Sequence, residues 1–287
     1  MDGIILIDKP ENMSSFQVCE QIKKKFNLNK VGHGGTLDPF STGLLILGIN
    51  KGTKLLNFFL EEKKEYTGII ELGKETDTYD VTGQVISQVN ELNIKEEEIL
   101  NAVKEFTGVI EQTPPPFSAA KHKGKPLYKY ARKGKIIKKQ PRKIFIETFE
   151  ILKVNLPEIE FRIVCSRGTY IRSIAHDLGN YLGTKGYLKK LRRTAIGNFR
   201  VKDAKSIEDV KIEDIIEVDK VFDYPKLFLK EEFYRILKNG NKIRKSYLKN
   251  PPENFNGYVY ITCNNVISIC YSENGRVFQP KFIYLKP

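Results

Sequence analysis

One carboxylate in a glycine-rich loop is the feature of this sequence best suited to chemistry. Residues 31–43 read Val-Gly-His-Gly-Gly-Thr-Leu-Asp-Pro-Phe-Ser-Thr-Gly, and the apolar run 44–47 follows at once. Glycine permits backbone conformations that other residues resist and lets a ligand approach the main chain closely. Proline after Asp38 biases that residue away from helical geometry. An aspartate that stays ionised in a desolvated pocket can act as a nucleophile or proton acceptor. An ordinary surface turn has a similar composition. The loop alone therefore does not distinguish a catalytic aspartate from a turn residue, and the rest of the sequence must be considered.

Several other kinds of site are excluded because the sequence lacks their residues. Residues 48–54 superficially suggest a phosphate loop, but the Gly-Lys-Ser/Thr order is missing, and neither a dinucleotide fingerprint nor a nucleophile elbow is found. His33 and Asp38 would supply only two metal ligands, which is too few for a typical site. We therefore expect no metal and no cofactor. The four cysteines form no CxxC pair, which favours a reducing, cytoplasmic compartment; they are Cys19, Cys165, Cys263 and Cys270.

The charge of the chain indicates a polyanionic partner. There are 48 Lys and Arg residues against 35 Asp and Glu, a net charge of +13. Residues 112–146 contain eleven basic residues and no acid, and residues 178–202 contain seven more and no acid. Such blocks are often solvated faces, but prolines and aromatic residues accompany the charge here. An ordered nucleic-acid surface is the favoured interpretation. We expect no membrane span, because no apolar run approaches the ~18 residues required, and the N-terminus lacks the layout of a signal peptide.

The pattern of apolar residues predicts the elements around the glycine-rich loop. Residues 4–7 and 44–47 are short buried strands on either side of it. Ser14 and Gln17 have the spacing of a capping box and begin a helix. The apolar face of this helix is expected to contain Phe16, Cys19, Ile22 and Phe26.

Later segments predict further strands and helices. Residues 66–73 and 84–89 are expected to pair with each other, and residues 143–152 and 158–165 form a second antiparallel pair. Helices are predicted from about residue 96 and from about Tyr170. A charged, irregular segment leads to a domain boundary near Asp223. Beyond it, one short helix and three strands are typical of a small β-barrel-like module.

The order of the motifs resembles the TruB family of tRNA pseudouridine-55 synthases, in its stand-alone bacterial form. The loop motif Gly32 to Pro39 is nearly complete, and the resemblance extends in order from residue 3 to about residue 200. Asn12 stands where the family has glycine, a change that asparagine tolerates because it accepts left-handed backbone geometry. The other matching motifs are Lys9-Pro10 with Ser14-Ser15, Gly52-Thr53-Lys54, Lys64-Glu65-Tyr66, Thr76-Asp77-Thr78 with Asp80, Gln112-Thr113-Pro114-Pro115 with Ser118-Ala119, Cys165 to Ser173, and Leu191-Arg192-Arg193.

The resemblance implies a fold class and a division into two domains. The fold is α/β (α+β), with a mixed, largely antiparallel central sheet and flanking helices. Residues 1–223 form the catalytic domain, and residues 224–287 form a small PUA-like β-barrel module that binds RNA.

The resemblance also implies an activity and the residues that carry it. The protein is expected to be an isomerase that flips a uridine out of the T-loop of tRNA and converts it to pseudouridine. Asp38 is the catalytic carboxylate and Arg172 its partner, while Tyr66 stacks under the base and assists deprotonation at C5. The implied substrate-binding positions are Lys9, His33, Asp80, Tyr170 and Leu191. This reaction is redox-neutral and needs no metal.

Two other functions remain open from the sequence. An RNA-binding or RNA-folding protein with secondary or lost activity would share the basic segments, but it has no need of Asp38, Tyr66 and Arg172 together. A guide-RNA-dependent relative is the third option. The extensive basic segment and the missing long tail favour self-sufficient tRNA recognition by a monomer.

Overall fold

A 10-stranded mixed sheet organises the N-terminal part of the chain. The computed structural model describes residues 1–137 and 139–286; Lys138 of the basic segment and Pro287 of the C-terminal module lie outside the described residues. The strands of this part are β1 (Gly3–Lys9), β2 (Val31–His33), β3 (Thr42–Ile49), β4 (Lys64–Leu72), β5 (Lys74–Thr76), β6 (Val85–Gln88), β7 (Gly108–Gln112), β8 (Lys121–His122), β9 (Lys125–Pro126), β10 (Arg142–Asn155), β11 (Glu158–Cys165), β12 (Gly186–Ile196), β13 (Phe199–Arg200) and β14 (Ile216–Glu217). The helices are α1 (Ser15–Lys25), α2 (Leu56–Glu61), α3 (Glu96–Glu105), α4 (Leu127–Ala131) and α5 (Ile171–Tyr181).

The sheet is largely antiparallel, with one parallel contact next to the glycine-rich loop. Its order is β14-β1-β3-β12-β4-β11-β10-β7, with β2 paired to β3 and β13 to β12. Strands β3 and β12 run parallel, and Gly43 lies opposite Arg193. The predicted fold class is confirmed. Among the described residues, no helix has the length and apolar character needed to cross a membrane.

Strands β1 and β3 are buried on both faces, which explains why their sequences are continuous apolar runs rather than alternating ones. Ile5 and Ile7 pack on one side with the apolar residues of α1, whereas Ile4 and Leu6 pack on the other. That second cluster contains side chains from the C-terminal module, among them Tyr260. The two predicted strands are confirmed.

The capping box predicted at the start of α1 is confirmed, but one residue of its apolar face was predicted wrongly. The amide of Gln17 donates to Ser14 Oγ, and the amide of Ser14 donates to Gln17 Oε1. Phe16 is 67 % exposed, and Val18 is buried instead. A capping box fixes where a helix begins, whereas the buried face depends on what packs against it.

The predicted pairing of residues 66–73 with 84–89 is also wrong. Strand β4 pairs with β11 and β12 in the centre of the sheet, while β6 pairs with the short β5. The predicted pair β10 and β11 is confirmed. Residues 85–88 instead form a small hairpin with the start of the polar connection, residues 74–76, so β6 does not reach β4.

The C-terminal module is a five-stranded sheet curled towards closure. Its elements are β15 (Lys226–Phe228), α6 (Tyr234–Lys238), β16 (Ile243–Arg244), β17 (Gly257–Cys263), β18 (Val266–Ser272) and β19 (Val277–Leu285), in the strand order β15-β17-β18-β19-β16. The two outer segments meet, because the amide of Lys249 donates to the Phe228 carbonyl and the amide of Lys230 donates to the Tyr247 carbonyl. This architecture agrees with the small PUA-like β module that the sequence predicts.

Candidate active site

Asp38 lies in the loop between β2 and β3, and the residues on both sides of it are held by buried polar side chains. The amide of Leu37 donates to Ser15 Oγ at 2.9 Å. Lys9 Nζ donates to the Pro39 carbonyl at 3.2 Å. Because the first turn of α1 and the end of β1 supply these two groups, the Lys-Pro and Ser-Ser motif fixes the backbone around Asp38.

Arg193 holds the two ends of the same loop. Its guanidinium is fully buried and donates to the carbonyls of Leu44, at 2.8 Å, and Gly35, at 3.0 Å. Gly43 has a φ of +102°, and a Cβ atom there would lie 2.3 Å from the Arg193 carbonyl oxygen. Glycine is therefore required where β3 approaches β12, and this approach closes the loop behind Asp38.

Arg172, near the start of α5, joins Asp38 to two other segments. Its Nε lies 3.0 Å from Asp38 Oδ2, and its Nη1 lies 3.3 Å from Asp80 Oδ2. Nη1 also donates to the Thr78 carbonyl at 3.0 Å, and Nη2 donates to the Phe117 carbonyl at 2.8 Å. A guanidinium with all three nitrogens engaged has one orientation, so the carboxylate of Asp38 is held in register with it.

The environment of Asp38 acts on its ionisation in opposing directions. Removal from water raises the pKa of the carboxyl, Arg172 lowers it, Asp80 raises it and Lys9 lowers it, and the resulting pKa is above the ordinary value. The two cations therefore oppose the upward shift of this pKa that burial causes, and Arg172 opposes it most. A half-buried carboxylate held by one arginine is suited to act as a nucleophile or base.

Tyr66 lies on β4, the neighbour of β12, and faces the same core as Leu191. In the sheet register Tyr66 stands opposite Arg193 and Ile163. Leu191 is buried in the cluster against which Tyr66 packs. Burial raises the pKa of the Tyr66 phenol, and the charge of Arg193 opposes this rise. The phenol is protonated at neutral pH.

Comparison with known proteins places the chain in a family. Residues 23–171 match the TruB family pseudouridylate synthase (N terminal domain), and residues 172–223 match the tRNA pseudouridylate synthase B C-terminal domain. The chain belongs to the TruB family. Proteins named tRNA pseudouridine synthase B from Clostridium kluyveri and Clostridium tetani are 37 % and 44 % identical to it. The first alignment covers 99 % of both chains, and the second covers 86 % of this chain and 88 % of the other.

Solved structures show the same fold at lower identity. A chain of a Cbf5-Nop10-Gar1 complex is 23 % identical and superposes with a TM-score of 0.73, covering 99 % of this chain and 85 % of that one. A chain of an H/ACA RNP bound to a substrate RNA containing 2'-deoxyuridine is 22 % identical, with a TM-score of 0.71 and the same coverage. At this identity the likeness is one of fold.

Two residues expected at substrate-binding positions in this TruB-family chain, Lys9 and Asp80, are buried and bound by other protein groups. Lys9 is fully buried, and its Nζ also donates to the carbonyls of Pro10 and Met13. Burial lowers the pKa of Lys9 to about 8. Asp80 is 3 % exposed, and its Oδ1 accepts hydrogen bonds from Thr78 Oγ1 and the Thr82 amide. Both residues have their polar atoms occupied by protein groups.

Tyr170 and His33 lie at the edges of the site. The Tyr170 amide donates to Gln112 Oε1 and its carbonyl accepts from Gln112 Nε2, while the Arg142 guanidinium lies 4.9 Å from its ring centre. Burial, followed by the charge of Arg193, lowers the pKa of His33, so the imidazole is neutral at physiological pH. His33 is therefore suited to packing against a nucleotide rather than to binding a phosphate through charge.

Three buried polar atoms have no hydrogen-bond partner among the described residues. They are His33 Nδ1, Ser41 Oγ and Ser118 Oγ. The first two belong to the Asp38 loop, and Ser118 follows Phe117, which binds Arg172. Buried polar groups without partners are rare in proteins and need an explanation.

The first basic block is exposed, as a nucleic-acid surface requires. Strands β8 and β9 and helix α4 order its middle, with Leu127 and Ala131 buried beneath. Its exposed cations are Lys121, Lys123, Lys125, Lys129, Arg132, Lys133, Lys135, Arg142 and Lys143.

The second basic block, 178–202, presents fewer free cations than its sequence suggests, because Lys185, Lys189 and Arg192 are paired with carboxylates and Arg193 is buried, which leaves Lys190, Arg200 and Lys202 exposed. Arg192 makes a two-pronged contact with Asp8, at 2.6 and 3.1 Å. Lys189 lies 2.6 Å from both Glu71 and Glu158. Counting like charges along a sequence does not reveal carboxylates that other strands place opposite them.

Sequence reasoning missed two residues that position the site. Arg193 was seen only as part of a motif, and Gln112 had no role, although it makes a paired backbone contact with Tyr170 at the start of α5. Arginine and glutamine that bind backbone groups leave no distinctive sequence spacing.

Among residues 1–137 and 139–286, no group of three or more His, Cys, Asp and Glu side chains is arranged to hold a metal ion.

Proposed function

We propose that this protein is a tRNA pseudouridine(55) synthase, an isomerase that acts on a uridine in the T-loop. The observation that carries the proposal is the contact of Arg172 with Asp38, in a chain of the TruB family whose curated relatives are named for this activity. A protein that only binds RNA has no use for a half-buried carboxylate held by a buried arginine.

The reaction fixes what the residues must do. The bond between ribose C1′ and N1 of uracil breaks, the base turns, and a bond from C1′ to C5 forms. The hydrogen on C5 is lost and N1 gains one, so atoms and electrons balance without a cofactor. The uridine must leave its loop before this bond can be reached, because a base inside the loop is stacked and paired.

We assign roles to the residues around that bond. Asp38 acts at the ribose–base junction, and Arg172 keeps it ionised and oriented. Tyr66 stacks under the base, a role that suits a neutral phenol, whereas the raised pKa of that phenol does not favour a part in removing the C5 proton. Leu191 packs beside the base, and His33 packs against the nucleotide displaced from the loop.

Lys9, Asp80 and Tyr170 hold the surrounding segments in this proposal. The contacts of Lys9 and Asp80 lie within the protein, which supports a positioning role rather than direct contact with RNA. Tyr170 begins the helix that carries Arg172.

The charge distribution indicates which parts of the protein contact the tRNA. The exposed basic block and the C-terminal module contact the tRNA backbone, since phosphate contacts from Lys and Arg supply most of the affinity for a nucleic acid. We propose that the protein works as a monomer, in the cytoplasm, without a guide RNA. Activity should survive dialysis against EDTA, provided that the tRNA stays folded.

The test is to map pseudouridine in unmodified tRNA transcripts after incubation with the purified protein alone. We expect one new pseudouridine, at position 55, and none in a control transcript with cytidine at that position. Tight binding without modification would identify an RNA-binding protein instead. Modification that needs an added guide RNA would overturn the stand-alone proposal.

A further inference from the structure

A second charged cluster lies on α5, one turn beyond Arg172. His176 Nε2 is 3.0 Å from Glu75 Oε1, and His176 Nδ1 is 3.0 Å from Asp177 Oδ1. Lys185 Nζ lies 3.0 Å from the other oxygen of Glu75. The side chains of His176 and Glu75 are 14 % and 15 % exposed. The catalytic roles proposed above make no use of this cluster.

The imidazole of His176 is covered by the ring of Tyr79. The two ring centres are 3.7 Å apart and the planes differ by 19°, so the rings are stacked. Tyr79 has a φ of +64°. A bulky aromatic residue rarely adopts this left-handed conformation, and it persists only where surrounding contacts enforce it. The stack on His176 is such a contact.

Tyr79 stands between the two residues that hold Arg172 from this side. The Thr78 carbonyl accepts a hydrogen bond from Nη1 of Arg172, and the Asp80 carboxylate pairs with the same nitrogen. The carbonyl of Tyr79 itself accepts from the Leu188 amide at 3.0 Å. A change in the backbone at Tyr79 would therefore move both acceptors away from the guanidinium.

We propose that His176 is a positioning residue: by stacking on Tyr79 it holds the 78–80 turn against Arg172, and so holds Arg172 on Asp38. Helix α5 then supports the reacting carboxylate twice, directly through Arg172 and indirectly through the turn that His176 fixes. This proposal rests on the proposed function and adds three residues to it: His176, Tyr79 and Glu75.

The charges around His176 favour its imidazolium form. Burial lowers its pKa, but hydrogen bonds and charges from Asp177 and Glu75 outweigh burial, and the pKa is raised above the ordinary value. Lys185 also binds Glu75 and so holds that carboxylate in place. The contacts of both ring nitrogens with Glu75 and Asp177 restrict rotation of the imidazole, which keeps it stacked on Tyr79.

The first test is the single-turnover rate of pseudouridine formation against pH, at saturating tRNA. We expect His176→Ala and Tyr79→Ala to lose about 10- to 100-fold in rate, as small misplacements of reacting groups do, with an unchanged Kd for tRNA. Tyr79→Phe keeps the stack and should restore the rate. Tyr181→Ala, an exposed position on the same helix, is the matched control.

The pH profile separates positioning from simple destabilisation. Arg172, Lys9 and Asp80 face Asp38, and both Arg172 and Asp80 depend on the 78–80 turn. Arg172 lowers the pKa of Asp38 by more than Asp80 raises it, so loosening the turn should raise that pKa further and move the acid limb of the profile to higher pH in both alanine variants. An unshifted acid limb with a lowered rate would overturn the proposal.

A second measurement does not depend on activity. The chain has three histidines, so their NMR signals can be assigned by substitution. We expect the ring protons of His176 to carry a ring-current shift that Tyr79→Ala removes and Tyr79→Phe retains. Failure to find this shift would overturn the stack, whereas an inactive wild-type protein with the shift present would overturn only the proposed function.

Discussion

The Nε of Arg172 lies 3.0 Å from Oδ2 of Asp38, and the two side chains differ sharply in exposure. The arginine side chain is 5 % exposed, whereas the aspartate side chain is 37 % exposed. The guanidinium is therefore enclosed by protein on its far side, and the carboxylate is open on the side away from it. One side of the Asp38 carboxylate is therefore open to a substrate, while Arg172 pairs with it on the other side.

Replacing Arg172 by lysine should damage the chemical step far more than binding. Lysine keeps the charge but loses the planar fork that also binds Thr78, Asp80 and Phe117. Because Arg172 opposes the upward shift of the Asp38 pKa, a weaker partner should move the acid limb of the rate profile to higher pH. Single-turnover rates across pH measure this. A near-normal rate with an unshifted limb would show that the fork is dispensable.

Replacing Lys9 by methionine should slow the reaction with little loss of stability. The three hydrogen bonds of the buried ammonium are offset by the cost of its desolvation, so we expect the free energy of unfolding to change by less than about 2 kcal/mol. The Pro39 carbonyl loses its partner, and the rate should fall at least about 10-fold because Asp38 is no longer fixed.

Thermal denaturation and single-turnover kinetics check the Lys9 prediction together. Lys24→Met, an exposed lysine on the neighbouring helix, is the control and should change neither quantity. A normal rate in Lys9→Met would mean that the Pro39 contact does not position the loop.

Neutralising the exposed basic block should weaken tRNA binding and flatten its salt dependence. Substituting Lys123, Lys129 and Lys133 by glutamine removes three cations, and fewer counterions are then released when the complex forms. The slope of log K against log salt should fall by up to about 3. The matching control neutralises Lys189, which is paired with two carboxylates and should leave the slope unchanged. Equal slopes in wild type and triple variant would place the RNA elsewhere.

Removing residues 224–287 should destabilise the rest of the chain. Tyr260, Phe282 and Tyr284 share a cluster with Ile4 and other residues of the central sheet, and the Tyr260 hydroxyl donates to the Val218 carbonyl. Truncation would expose that apolar face to water. We expect a lower Tm and a broader transition in circular dichroism. An unchanged Tm would mean that the domain boundary near Asp223 separates independent folding units.

Local features of the fold could be predicted from sequence, whereas long-range pairing could not. The capping box at Ser14 gave the start of α1, and the left-handed tolerance of asparagine agrees with the φ of +61° at Asn12. Strand β12 was missed, because its alternation is masked by a run of basic residues whose carboxylate partners lie on other strands. The pairing of β4 was predicted wrongly for a related reason, since its partners β11 and β12 are distant in sequence.

The residues proposed to carry the chemistry could be predicted from the sequence, but the residues that hold them in place could not. The loop composition and the family motifs single out Asp38 and Arg172 as candidates, but spacing alone cannot show that they meet. The groups that hold them, Arg193, Gln112 and His176, act through backbone carbonyls or through stacking. Such contacts depend on the folded arrangement and leave no pattern in the chain.

The most direct test of the central claim is single-turnover pseudouridine formation by Asp38→Asn at saturating tRNA, with Kd measured in parallel. Asparagine is nearly isosteric with aspartate, so the loop should keep its shape while the carboxylate is lost. We expect no pseudouridine and a Kd within a few-fold of the wild-type value, because a negative side chain has no electrostatic reason to attract RNA. Measurable turnover by this variant would contradict the assignment of the chemistry to Asp38.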